Sequence, residues 1–223
     1  MRRKKPRFIL VGMLGVLACL VLAQTPDRLT NAQVLARIRP IPVFLAVGPD
    51  GKPTVEGAGA AAKVPIFFSS VEATARARTL GAQFKAVPVS LAEALSLASL
   101  GKLDFVPSAA ERDRALSLAK AANPEAKEFP GVPLFGVTNA SGYVTIDQGS
   151  RPSVPLFFSF EEAEEFRKKS ASADGKIVPT NLDQVMTVLR TAPTSQASGI
   201  VLIPHRKALE EAFGALDPVA FEI

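Results

Sequence analysis

Apolar positions along the chain fall into short runs that begin with an aliphatic–proline pair, and these runs come in two matching sets. Ile41-Pro42-Val43-Phe44 matches Val132-Pro133-Leu134-Phe135 at an offset of 91, and Gly51 and Val55 match Gly142 and Ile146 at the same offset. VPIFFS at 64–69 matches VPLFFS at 154–159 at an offset of 90. Val87-Pro88 matches Val178-Pro179 at 91, and Val106-Pro107 matches Ile203-Pro204 at 97, after a small insertion. Four pairs in one order in each half point to a tandem duplication of a unit of about ninety residues.

A residue before proline is pushed toward extended geometry, and proline suits the start or edge of a strand, so these runs predict strands. Pro49-Asp50-Gly51 and Asn139-Ala140-Ser141-Gly142 are turn sequences that predict a hairpin at the start of each half. Ser-x-x-Glu, the capping box that opens a helix, follows at 69–72, 90–93, 108–111 and 159–162, with Thr180 to Asp183 as a weaker version. Leu91, Ala94, Leu95 and Ala98 share one helical face, and Leu182, Val185, Met186 and Leu189 repeat that phase 91 residues on. Each half reads as hairpin, strand, helix, strand, helix, strand, helix, a mixed α/β (α+β) unit. The segments are 24–39, an N-terminal helical stretch outside the repeat; 40–122, the first half; 123–131, a linker with Pro124 and Pro130; and 132–223, the second half, both halves in one domain.

Alternate residues of a strand face opposite sides, so Phe67 and Phe68 point apart, as do Phe157 and Phe158. Such a strand is either sandwiched between two layers or covered on one face and open to a groove on the other. Phenylalanine is usually interior, and each ring stabilises by ~1.5–3 kcal/mol when fully buried. The functional alternative is that Phe44, Phe67, Phe68, Phe135, Phe157 and Phe158 line apolar grooves that hold a partner.

The chain carries a net charge of +5, and Arg2, Arg3, Lys4, Lys5 and Arg7 supply all of it. Without them, 21 basic face 21 acidic side chains, which argues against nucleic-acid binding, where cations must neutralise phosphates. Those five cations precede an apolar run from Phe8 to Ala23, the pattern of a secretory signal peptide (1–23) cleaved after Ala23. The run is short for a membrane span. Val16-Leu17-Ala18-Cys19 also resembles a lipoprotein box, the alternative in which Cys19 is lipidated; a membrane association would then be peripheral. Cys19 is the sole cysteine, so no disulfide joins the exported chain, and a bacterial periplasm is the expected compartment.

Catalytic chemistry finds no motif. His205, the one histidine, suits a surface or capping role at a strand end. With no second histidine and no suitably spaced acids, no metal site is expected. The glycine-rich stretch from Gly57 to Lys63 precedes a strand and lacks the phosphate-loop pattern. The run Glu161, Glu162, Glu164, Glu165, Arg167, Lys168, Lys169 places acid before base along one helix, with favourable pairs at 164/168 and 165/169, and reads as a solvated face.

An exported two-half chain with a doubled VPxFFS strand and further aliphatic–proline strands resembles the twenty-two-kilodalton subunit family of the chloroplast inner-envelope import translocon, most closely its cyanobacterial periplasmic members. The resemblance runs from about Ile38 to the C-terminus. It implies one pseudo-twofold domain in which both halves build a central sheet with flanking helices and apolar hollows on two sides. It also implies a soluble chaperone-like factor, without cofactor or catalysis, that binds unfolded or translocating polypeptides and supports outer-membrane protein biogenesis beside the β-barrel insertion machinery. Two other readings stay open at this level: a non-catalytic adaptor of that machinery, and a carrier of apolar small molecules.

Overall fold

The structure, a computed structural model, describes residues 27–149, 151–170 and 174–213. The expected signal peptide, with Cys19 and Ala23, lies outside the described residues. The N-terminal segment holds α1 (Asn31–Ile38), closed by a capping box between Thr30 and Gln33. The first half then runs β1 (Pro42–Val47), β2 (Lys63–Phe67), α2 (Ser70–Leu80), β3 (Lys85–Ser90), α3 (Leu91–Ala94), β4 (Lys102–Val106) and α4 (Ala109–Ala122). The second runs β5 (Pro133–Asn139), β6 (Gly142–Tyr143), β7 (Ile146–Gln148), β8 (Arg151–Phe157), α5 (Phe160–Lys169), β9 (Lys176–Asn181), α6 (Leu182–Thr191), α7 (Thr194–Ala197), β10 (Ile200–Ile203) and α8 (Arg206–Phe213).

Two mixed sheets stand where a single central sheet is expected. The first has the order β3-β1-β2-β4; in the second, β9, β5, β8 and β10 follow in the same order, with the short β6 and β7 added beside β5 and β8. Registers correspond as well: Phe44 pairs Phe67 and Phe135 pairs Phe157, while Pro42 pairs Ser90 and Pro133 pairs Asn181. The reason the sheets stay separate lies at their ends. Among the described residues, β4 and β10 each bond one neighbour only, in parallel, and no ladder joins one half to the other. Side-chain packing joins them instead.

The prolines act as the strand rules require. Pro42 and Pro133 open their strands, and Pro88 and Pro179 lie in β3 and β9, at the edge of each sheet. Pro65 sits inside β2 with its missing donor toward β1, so those two strands meet through one residue pair, Phe44 with Phe67. The hairpin expected at the start of each half forms fully only in the second, as β5 and β6. In the first it reduces to a bridge between Val47 and Pro53.

The inner faces of both sheets share one apolar cluster. Val43, Leu45, Ile66 and Phe68 meet Leu134, Leu156 and Phe158 there, and α1, α3 and α6 contribute Val34, Ile38, Leu91, Leu182, Val185 and Leu189. Each outer face has its own cluster. Phe44 and Phe67 pack with Ala73 of α2 and Ala208 of α8. Phe135 and Phe157 pack with Ala163 of α5 and Ala115 of α4. The last helix of each half therefore crosses over and covers the other half's sheet.

Candidate functional site

All six phenylalanines singled out in the sequence lie in the core, none more than 8% exposed. Phe44 and Phe67 belong to one outer cluster and Phe135 and Phe157 to the other, where Phe160 meets Phe135 edge-on at 5.6 Å and Phe166 lies 5.3 Å from Phe157. Phe68 and Phe158 face inward and stack, with centroids 5.5 Å apart and planes 12° from parallel. The expectation of an open Phe-lined groove is therefore corrected. Both faces of these strands are covered, one by the opposite sheet and one by helices, so the sandwiched alternative holds.

The glutamates of the Ser-x-x-Glu motifs also depart from expectation. Only Ser90 and Glu93 close a capping box on their own helix. Glu72 of α2 instead accepts the N–H of Ala109 at the start of α4 (3.0 Å), and Glu162 of α5 accepts that of Arg206 at the start of α8 (2.7 Å). Glu111 of α4 accepts the N–H of Phe160 at the start of α5 (2.9 Å). Each carboxylate satisfies an orphan donor on a neighbouring helix, where the helix dipole favours negative charge. The acidic run on α5 is thus partly a docking face: Glu164 pairs Arg167 and Lys168, but Glu165 lies 3.8 Å from Arg206 of α8.

The Glu111 cross-cap borders a cavity of ≈ 20 Å³, room for about one water. Its lining is built from equivalent positions of the two halves: Ile41 and Val132, Pro42 and Pro133, Phe68 and Phe158, Ser108 and His205, Glu111 and Ala208. His205 Nε2 is 4.0 Å from Glu111, and its Nδ1 is 3.9 Å from Glu162. Nδ1 also accepts the N–H of Lys207 (3.1 Å), the capping role expected of this residue. Burial raises the pKa of Glu111 against the bond from Phe160, and raises that of Glu162 against the bond from Arg206. Burial lowers that of His205 against the pull of Glu211 and Glu161. Among the described residues, no three His, Cys, Asp or Glu side chains gather so as to hold a metal ion.

A larger opening, a trough of ≈ 440 Å³, runs between β4, α4 and the segment joining the halves. Phe105, Pro107, Leu116 and Phe129 contribute apolar patches to a mainly polar lining, and Arg112, Lys127, Asp113 and Glu128 supply two charges of each sign. Sequence reasoning missed this site. Phe105, Leu116 and Phe129 lie outside the doubled phrases, and only folding brings the linker beside β4.

Among curated protein sequences, none matches this chain. A family model, the Tic22-like family, matches residues 24–212. Among solved structures, the chain is similar to Tic22 from Anabaena, labelled protein transport, with a TM-score of 0.72 and 20% identity over 85% of this chain and 99% of that one. It is also similar to Tic22 from Plasmodium falciparum, with a TM-score of 0.60 and 18% identity over 80% of this chain and 94% of that one.

Proposed function

The chain belongs to the Tic22-like family, and we propose that it serves protein transport as a non-catalytic, polypeptide-binding protein of the periplasm. The trough carries this reading. It is open, with three apolar side chains set in a mainly polar lining of balanced charge, a surface that can take the mixed apolar and polar groups of an unfolded segment without strong selection for net charge. The Anabaena structure's label agrees with a transport role. The signal-peptide pattern of residues 1–23 supports export. The clients that fit are precursors of outer-membrane β-barrels, which cross that compartment unfolded. The matching strand orders and registers of the two sheets support descent from one duplicated unit.

The binding residues are therefore Phe105, Leu116 and Phe129, not the six core rings. The test is to titrate the purified protein into a fluorescent, unfolded β-barrel precursor and to follow anisotropy and aggregation together. Saturable binding with suppressed aggregation is expected, and Leu116→Asp should weaken it while the circular dichroism stays unchanged. A folded wild-type protein that ignores the precursor but binds a folded domain of the insertion machinery would be an adaptor instead. A co-purifying apolar molecule in native mass spectrometry would indicate a carrier.

A further inference from the structure

β4 and β10 end their sheets in equivalent ways. Phe68 N–H donates to Val106 and Phe158 N–H to Ile203, each at 3.0 Å, and Lys102 and Gly199 pair toward β2 and β8. Alternation then turns the main-chain groups of Leu103 and Phe105 outward on one edge, and those of Ile200 and Leu202 outward on the other. The two edges differ in what meets them. Arg37 of α1 donates to the carbonyl oxygens of Ile200 (2.9 Å) and Ser198 (3.4 Å), so the helix outside the repeat covers the β10 edge. Among the described residues, no donor or acceptor meets the outward groups of Leu103 and Phe105. The residue 91 positions after Arg37 is Glu128, whose carboxylate cannot donate to a carbonyl. At that place the structure has the trough.

We propose that the free edge of β4 is where an extended polypeptide adds as a further strand, with its side chains alternating between the trough and its rim. The inference rests on the polypeptide-binding reading and specifies how that site holds its client. An edge of unpaired N–H and C=O groups at strand spacing is complementary to another strand. A space of ≈ 440 Å³, walled by α4 and by Lys127 to Gly131, admits a few residues of one extended chain and not a second folded sheet. Two cations and two anions on the rim suit a near-neutral segment in which apolar and polar residues alternate. Among the described residues the equivalent edge of β10 is not open in this way, because Arg37 and α1 occupy it.

The test uses the wild-type protein and a fluorescent peptide of alternating apolar and polar residues, prepared unmodified and with N-methyl groups on alternate amides of either edge. Methylation of the pairing edge should weaken binding at least about tenfold, through the loss of two or more main-chain bonds, while methylation of the other edge should not. Leu103→Pro should reproduce that loss, and Ile200→Pro, the same change on the covered edge, should leave binding intact. Proline at an outward-facing edge position is compatible with the strand, and the Ile200 variant controls for any cost to folding. Equal binding of all three peptides would overturn strand addition and leave a side-chain trough. Failure of every peptide to bind would overturn the polypeptide-binding reading as well. Protein that dimerises through β4, with dimers lost in Leu103→Pro, would show the edge to be self-pairing and overturn the proposal.

Discussion

Glu111 and His205 stand 4.0 Å apart where α4 and α8 begin, and each fills a place where the other half carries something smaller: Ala208 opposite Glu111, Ser108 opposite His205. Two departures from the correspondence between the halves thus place a carboxyl beside an imidazole. Glu162 completes the cluster, and Glu161, Glu165, Glu211, Arg114, Arg206 and Lys207 surround it with charge.

Stability should depend on pH through this cluster. The Lys207 cap needs His205 Nδ1 unprotonated, and burial holds the folded-state pKa below 6.5. As pH falls, the unfolded chain takes up this proton first. The stabilising contribution is present above the unfolded value and is lost as pH drops through the folded one. Glu111 and Glu162 act in the opposite sense, because their raised values favour the folded state at low pH and lose that advantage as pH rises through them from 4.5. The His205 contribution should therefore be lost once the pH drops below 6.5, so that urea midpoints of the wild type and His205→Asn, taken from about pH 8 to about pH 5, converge there. An identical slope in the variant would remove His205 from the account.

The stacked pair Phe68 and Phe158 links the halves. Phe68→Ala and Phe158→Ala should each destabilise by about 3–5 kcal/mol, the cost of emptying a core site, where a ring on an open groove would change stability by only about 0.5 kcal/mol. Chemical denaturation of the wild type should show one transition by fluorescence and by circular dichroism, since neither sheet has an inner face without the other.

Gly136 replaces in β5 the Leu45 of β1. A Cβ there would lie 2.7 Å from the Tyr143 ring and 3.1 Å from a methyl of Leu156. Gly136→Ala should cost about 1–3 kcal/mol by overpacking. Tyr143 is 48% exposed and can swing away, while Leu156 is buried. In a double-mutant cycle, Tyr143→Ala should recover part of the loss and not all of it.

Arg37 fastens α1 across the second sheet through the carbonyl oxygens of Ile200 and Ser198. Arg37→Ala should destabilise by about 1–3 kcal/mol, a charged donor's bonds being lost. Hydrogen exchange should rise in α1 and at the edge of β10 before it rises in β1, which would separate a local loosening from a global one.

The strands and most helix starts were legible because proline, the Ser-x-x-Glu spacing and the shared apolar phase are local signals, whereas the single sheet expected of the two halves is two sheets. What the sequence did not reveal depends on which face meets what. Phe67 and Phe157 look like groove residues until α8 and α4 are seen to cross over them. Glu72 and Glu162 carry the spacing of a self-cap, and only the nearness of another helix start redirects them. The trough was hidden for the same reason. Phe105 and Phe129 are 24 positions apart, in a strand and a linker, and no period connects them.

The crossing of α4 and α8 also fixes an order of events. α4 precedes the sheet it covers, so it is in place before β5 has formed. α8 follows the other described elements, yet it supplies Ala208 to the outer cluster of the first sheet. A chain that emerges N-terminus first, from a ribosome or a membrane channel, therefore holds Phe44 and Phe67 covered by α2 alone until α8 arrives. The first-made half is the last to be sealed. Until that moment the part of the first sheet's outer face that Ala208 covers stays open to water.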